Sequence, residues 1–203
     1  MDHIEKELEA GRAVILPTET VYGIFAKALN QKTVDYIYEL KRRPRDKALN
    51  LNVADENTIR IYSKNQPSYL TKLIHSFLPG PLTIILQANE KVPNWIHSGL
   101  DTVGFRIPAH SKTLDLIRKY GPLVGPSANL SGHASGTKYR AIVSEFDQVV
   151  PGIEDDDFLT GQDSTILDIS GSIARILRQG SITKTDLIAQ VPELSFEEDE
   201  LPQ

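Results

Sequence analysis

The sequence predicts a single-domain α/β (α+β) fold. Short apolar runs rich in β-branched residues recur along the chain, and between them lie segments whose apolar residues follow a 3, 4, 7 spacing. Prolines and glycines sit at the boundaries. With 203 residues, 40% of them hydrophobic, the chain can bury one sizeable core. The order of elements is too irregular for a simple doubly wound sheet.

Asp2 to Glu9 reads as a short helix stopped at Gly11, and Ala13 to Leu16 as a buried strand before Pro17. The spacing of Val34, Ile37, Tyr38 and Lys41 predicts a helix over Gln31 to Arg43, ended by Pro44. Leu49, Leu51 and Val53 alternate with Asn50 and Asn52, as a strand does. Leu70, Leu73, Ile74 and Phe77 share one face of a helix over Pro67 to Leu78, stopped by Pro79-Gly80-Pro81. Strands are predicted at Leu82–Leu86 and Thr102–Ile107, a helix at Ser111–Tyr120 and a short strand at Leu123-Val124. Then come a helix at Tyr139–Phe146, strands at Thr165–Ile169 and Ala174–Leu177, and a last helix at Thr183–Gln190. The Gly132–Gly136 and Gly152–Gly161 loops are candidate lids.

The net charge of -5 comes from one end. Residues 193–203 hold five acids and no Lys or Arg, which leaves 22 acids and 22 bases in residues 1–192. The division expected is a catalytic domain over 1–192 and an acidic, flexible tail over 193–203. A neutral body argues against a general nucleic-acid binder. No apolar run approaches a membrane span, and MDHIEKELEAGR lacks the layout of a secretory signal. Cysteine is absent, which excludes thiol nucleophiles and thiolate zinc sites and agrees with a reducing cytoplasm, the location expected.

There is no G-x-x-x-x-G-K-[ST], no G-x-G-x-x-G after a strand, and no H-E-x-x-H. The five histidines show no ligand spacing, so no protein metal site is expected. Gly125-Pro126-Ser127-Ala128-Asn129 resembles a hydrolase elbow but lacks its last glycine.

Five constellations remain. Lys41 to Lys47 holds five cations in seven residues at a helix end. Such a run suits the helix dipole and solvent, or else a polyphosphate clamp. Lys41 and Arg43 can converge only where the chain leaves helical geometry, at Pro44. Pro126 to Gly132, followed by Ser135, offers hydroxyls and a carboxamide in a strand-end loop, as either a polar turn or a phosphate and sugar site. Pro17-Thr18-Glu19-Thr20-Val21-Tyr22-Gly23 is an edge strand and turn or the wall of a small polar pocket. Arg106 alternates with apolar neighbours, so it is either solvated or turned inward onto an anion such as a carboxylate. Asp163-Ser164-Thr165 and Arg178 complete the set.

Taken in order, P-T-E-T-V-Y-G, K-x-R-P, P-G-P-L-T, the R-x-P strand, S-A-N-x-S-G, D-S-T and L-R-x-G resemble the Sua5/YciO/YrdC family from about Ile4 to Val191. The resemblance implies a YrdC-like single domain, with a twisted mixed β-sheet curved around a large basic cavity and flanked by helices. It implies threonylcarbamoyl-AMP synthesis for t6A at position 37 of tRNA. L-Threonine and bicarbonate give N-carboxythreonine, whose carboxylate attacks the α-phosphorus of ATP and expels pyrophosphate, with Mg²⁺ bridging the phosphates. The product passes to the tRNA threonylcarbamoyl-transferase machinery; direct tRNA contact is left open.

By the same resemblance, Lys41 and Arg43 hold phosphates and the leaving pyrophosphate, and are the catalytic pair. Lys47, Thr102, Gly125, Ser127, Asn129, Ser135 and Arg178 bind ATP with them. Thr20, Asn52, Arg106 and Ser164 bind L-threonine, Arg106 through the amino acid's carboxylate. Three positions depart from the family's pattern. Lys47 stands where many relatives have asparagine, Asn52 where longer ones have histidine, and Gly125 where alanine or a hydroxyl residue is common. The rival readings are a non-catalytic binder of tRNA or double-stranded RNA on the same fold, and a paralogue using another carbamoyl donor. The latter, as in hydrogenase maturation, is much longer and carries zinc-binding cysteines.

Overall fold

The computed structural model describes residues 3–146 and 149–197. In chain order the elements are α1 (His3–Glu9), β1 (Val14–Leu16), β2 (Gly23–Lys27), α2 (Gln31–Leu40), β3 (Leu51–Asn52), α3 (Glu56–Tyr62), β4 (Ser63–Lys64) and α4 (Leu70–Phe77). They continue as β5 (Leu82–Ala88), α5 (Asn94–His97), β6 (Thr102–Arg106), α6 (Ser111–Tyr120), β7 (Leu123–Val124), α7 (Tyr139–Ser144), β8 (Thr165–Asp168), β9 (Arg175–Arg178) and α8 (Lys184–Gln190).

All strands join one open, mixed sheet in the order β1-β2-β7-β3-β6-β5-β8-β9, with β4 paired to the end of β5. The β3–β6 and β5–β8 pairs are parallel and the others antiparallel. Mixed α/β architecture was therefore legible, while this strand order was not.

The apolar patterns explain the packing. β1 is buried on both faces: Ile15 joins the large cluster with Ile24, Ile37 and Phe105, whereas Val14 and Leu16 join a second cluster with Ile4, Leu8, Phe25 and Ile117. A Thr183–Asp186 capping box starts α8, so Thr183 flanks the helix that the sequence placed it in. The sequence reading passed over β2, α3, β4 and α5. α3 carries Ile59 as its one buried residue, so it lacks the apolar stripe that marks a helix. Its start is fixed instead by Asp55, whose carboxylate accepts the Thr58 N–H at 2.7 Å.

The acidic C-terminal segment is not a frayed end over its described part. Leu194 is buried, Ala174 N–H donates to Ser195 C=O at 2.7 Å, and Phe196 bridges to Ala174. Glu193 meets Lys72 and Glu197 meets Arg175 at the surface. The rest of the expected tail, from 198 onward, and Asp2 lie outside the described residues. Among those residues no helix is long and apolar enough to cross a membrane.

Docking of 193–197 gives a prediction. Leu194→Ala should lower the unfolding free energy by about 2–3 kcal/mol in urea titrations, the cost of a buried leucine, whereas a frayed segment would show no change.

Candidate functional site

One transverse row of the sheet forms the floor of a cleft of about 220 Å³. Asn52 on β3 pairs with Arg106 on β6, Thr83 on β5 pairs with Ile166 on β8, and Ile166 pairs with Arg178 on β9. All five line the cleft, together with Arg43, Ser127, Ser164, Gly125 and Asp163. Neighbouring strands thus present one side chain each to the same place. Among the lining residues three arginines face one carboxylate, Asp163, so the cavity is basic, as expected.

The end of α2 delivers Arg43. The helix stops one turn earlier than predicted, at Leu40, and Arg42 adopts φ +50°. Arg42 N–H bonds to Glu39 C=O at 3.0 Å and Arg43 N–H to Tyr38 C=O at 2.8 Å, the two bonds of a Schellman turn. The chain therefore leaves helical geometry at Arg42, before Pro44, and sends Arg43 alone of the expected pair to the cleft. Arg43 donates from Nε to Lys47 C=O at 3.2 Å and from Nη2 to Ala48 C=O at 2.8 Å. Burial pulls its guanidinium below the usual value.

Lys41 does not line the cleft. Its ammonium, buried, donates to the carbonyls of Ser127 and Asn129, and its own carbonyl receives the Ser131 N–H at 2.9 Å. The 127–131 loop is thus moulded around it. Burial, and then the Arg43 charge, lower its pKa to about 8. Two of its three N–H donors are thereby used.

Arg106 turns inward, and the chain itself supplies a carboxylate. Glu19 Oε1 accepts Arg106 Nη2 at 2.6 Å, both side chains being nearly buried, and Glu19 Oε2 accepts the Ala109 N–H at 2.9 Å. Thr20 Oγ1 accepts the same Nη2 at 2.6 Å. Arg106 Nε is buried without a partner among the described residues. At the other end Arg178 Nη2 donates to Ser164 Oγ at 3.0 Å, Ser164 bonds to Thr83 at 3.0 Å, and Asp163 lies 3.5 Å from Arg178.

The candidate-lid loop 152–161 is tied down at several points. Thr160 and Gly161 N–H groups donate to Glu19 and Thr20 carbonyls at 3.0 and 2.8 Å. The Tyr22 hydroxyl donates to Asp156 and accepts the Asp155 N–H, both at 2.8 Å, and burial raises its pKa.

With this geometry in hand, comparison with known proteins is decisive. The Sua5/YciO/YrdC family profile, described as telomere recombination, matches residues 6–180. The chain belongs to this family. Threonylcarbamoyl-AMP synthases of Pyrococcus abyssi and Bacillus subtilis are 35% and 38% identical over 189 and 187 residues. These matches span 92% and 91% of this chain but 56% and 54% of those proteins, so the chain covers about half the length of the curated relatives it matches. The P. abyssi Sua5 structure complexed with L-threonine superposes with a TM-score of 0.87 at 34% identity, covering 95% of this chain and 57% of that one.

The family motifs reach the cleft unequally. Arg43, Asn52, Arg106, Gly125, Ser127, Ser164 and Arg178 line it. Thr20, Lys41 and Ser135 do not, but each bonds to a residue that does. Asn129 stands behind Lys41; its carboxamide N–H groups go to Leu130 and His133 carbonyls at 2.8 Å, and its Oδ1 is buried without a partner among the described residues. Lys47 is exposed and meets Arg43 only through its carbonyl. Thr102 is four residues from Arg106 along β6, roughly 13 Å, yet on the same face, because strand side chains alternate. Sequence reasoning missed Glu19, Thr83 and Asp163 as site residues, although each lies inside a motif it had quoted.

Close neighbours hold position 125 to glycine. A Cβ at 125 would lie 2.6 Å from the Phe25 ring and 2.6 Å from Asn52 Nδ2. Phe25 is fully buried, so the ring has nowhere to retreat. Gly125→Ala should cost about 1–3 kcal/mol of stability. A Phe25→Leu background should recover part of that loss, seen as non-additivity in a double-mutant cycle by chemical denaturation.

Proposed function

We propose that the chain is a cytoplasmic nucleotidyltransferase that makes L-threonylcarbamoyladenylate from L-threonine, bicarbonate and ATP. One observation carries this reading: the cleft gathers Arg106, which already pairs with a carboxylate, with Arg178 on the same sheet row and Arg43 from the end of α2. Arg106 already holds Glu19 and keeps Nε for a second acceptor. Arg43, Ser127 and Arg178 stand along the same floor.

The amino acid's carboxylate goes to Arg106, with Ser164 and Thr83 hydroxyls alongside. Threonine's amine and bicarbonate form the carbamate and release water. One carbamate oxygen then bonds to the α-phosphorus as the bond to the β-phosphate oxygen breaks. No covalent enzyme intermediate is required, so the chain's work is positioning and charge compensation. Arg43 hydrogen-bonds the Lys47 and Ala48 carbonyls and makes no short ion pair among the described residues, with Asp46 only a nearby charge, so it retains positive charge that suits the leaving pyrophosphate. A cleft of about 220 Å³ takes threonine and the reacting phosphates, and the nucleoside extends along the face that carries Thr102. Mg²⁺ enters with ATP and supplies further neutralisation of the phosphates. Among the described residues no group of three or more His, Cys, Asp or Glu gathers. The unstable product is handed to the tRNA threonylcarbamoyl-transferase machinery.

Pyrophosphate release from Mg·ATP tests the reading: it should require both L-threonine and bicarbonate, with L-serine a poor substitute, and release indifferent to threonine would refute it. Arg43→Ala should weaken ATP use by about 1.5–3 kcal/mol, and Arg106→Ala should raise the threonine requirement far more than the ATP requirement. Lys41 gives a pH signature. Its lowered pKa means that the charge is lost as pH rises through about 8, while a neutral amine keeps two N–H donors for the loop carbonyls. The KM for ATP should therefore rise above pH 8 in the native chain and stay flat across that range in Lys41→Met.

A further inference from the structure

We propose that Asp163, with the Ser135 hydroxyl, is the protein's contribution to a divalent-cation site on the nucleotide. The inference rests on the ATP reading above and adds protein ligands to it.

Two carboxylates meet the cleft arginines, and they differ. Glu19 is committed, with contacts of 2.6 and 2.9 Å and a side chain 14% exposed. Asp163 is held loosely: Ser135 Oγ lies 3.2 and 3.4 Å from its oxygens, Arg178 Nη1 lies 3.5 Å away, and the side chain is 35% exposed. None of these is a short charge-assisted bond. Among the described residues, Asp163 is also the only acidic side chain lining the cleft. A carboxylate facing a triphosphate repels it, and a divalent cation between the two turns that repulsion into attraction.

Mg²⁺ asks for oxygen ligands in near-octahedral geometry and is usually bound through one or two carboxylates plus phosphates and water. A single carboxylate with a hydroxyl beside it meets that demand. A Ser or Thr hydroxyl and an aspartate are also the donors that P-loop NTPases use for their nucleotide-bound Mg²⁺. Ser135 and Asp163 come from loops 28 residues apart, so one ion would join both loops to the phosphates. Arg178, released from Asp163, would keep its bonds to Ser164 and turn its remaining N–H groups to the phosphates.

Calorimetric titration of α,β-methylene-ATP, in excess Mg²⁺ or in EDTA, tests the proposal. Mg²⁺ should tighten binding to the native chain by about tenfold or more. In Asp163→Asn most of that gain should vanish, while metal-free binding is equal or tighter because a repelling charge has gone. Asp163→Cys introduces the chain's only thiol, and Cd²⁺, which favours thiolate, should restore the gain where Mg²⁺ does not. The same Mg²⁺ gain in native and Asp163→Asn chains would overturn the proposal. So would equal weakening with and without metal, which would make Asp163 a support for Arg178 alone. A native chain that binds the analogue in neither medium would instead overturn the ATP reading, and this proposal with it.

Discussion

The Lys41 ammonium has left water for a place where two backbone carbonyls solvate it. That choice organises half of the cleft. Desolvating an ammonium is costly, and the cost is offset only while the 127–131 loop keeps both carbonyls turned toward it. The helix that carries Lys41 must in turn end just there, and the left-handed Arg42 ends it. Arg43 then emerges on the cleft side of the turn. One buried cation thereby fixes a loop, a helix terminus and the direction of the next arginine.

The opposite wall obeys a similar logic with a different partner. Arg106 is balanced by Glu19, Arg178 more loosely by Asp163, and Arg43 mainly by carbonyl dipoles, with Asp46 as a nearby charge. The three arginines consequently differ in residual charge although they share one floor. A zwitterionic amino acid suits the balanced end and a polyanion the unbalanced one. Under the proposed reading, the division of labour between amino acid and nucleotide follows the counter-charges more than the arginines.

Much of this was legible in the sequence because the informative residues are local. Helical spacing gave α2 and α4, alternation gave β3, and apolar runs between turn residues gave β5 and β6. The elements passed over, β2, α3, β4 and α5, are short or take their identity from distant partners, as Gly23 does from Ser127. The motifs named the right stretches of chain. They did not say which member of each stretch faces the cleft, since that depends on strand pairing between residues far apart. Glu19 shows the limit: an inward arginine was expected to need a carboxylate, yet its partner lay 87 positions away. The docked 193–197 segment shows another, for an acidic composition concealed Leu194, which is buried, and Phe196, which bridges to Ala174 just before β9.

The contact between Phe25 and the glycine at 125 also bears on descent. Alanine at 125 and phenylalanine at 25 conflict, since a Cβ at 125 would lie 2.6 Å from the ring, so either residue raises the cost of changing the other. This pair makes the order of substitutions matter, and it ties the floor of the cleft to the packing beneath it. Two chains that share every polar group of the site can therefore differ in how readily they accept this one carbon atom.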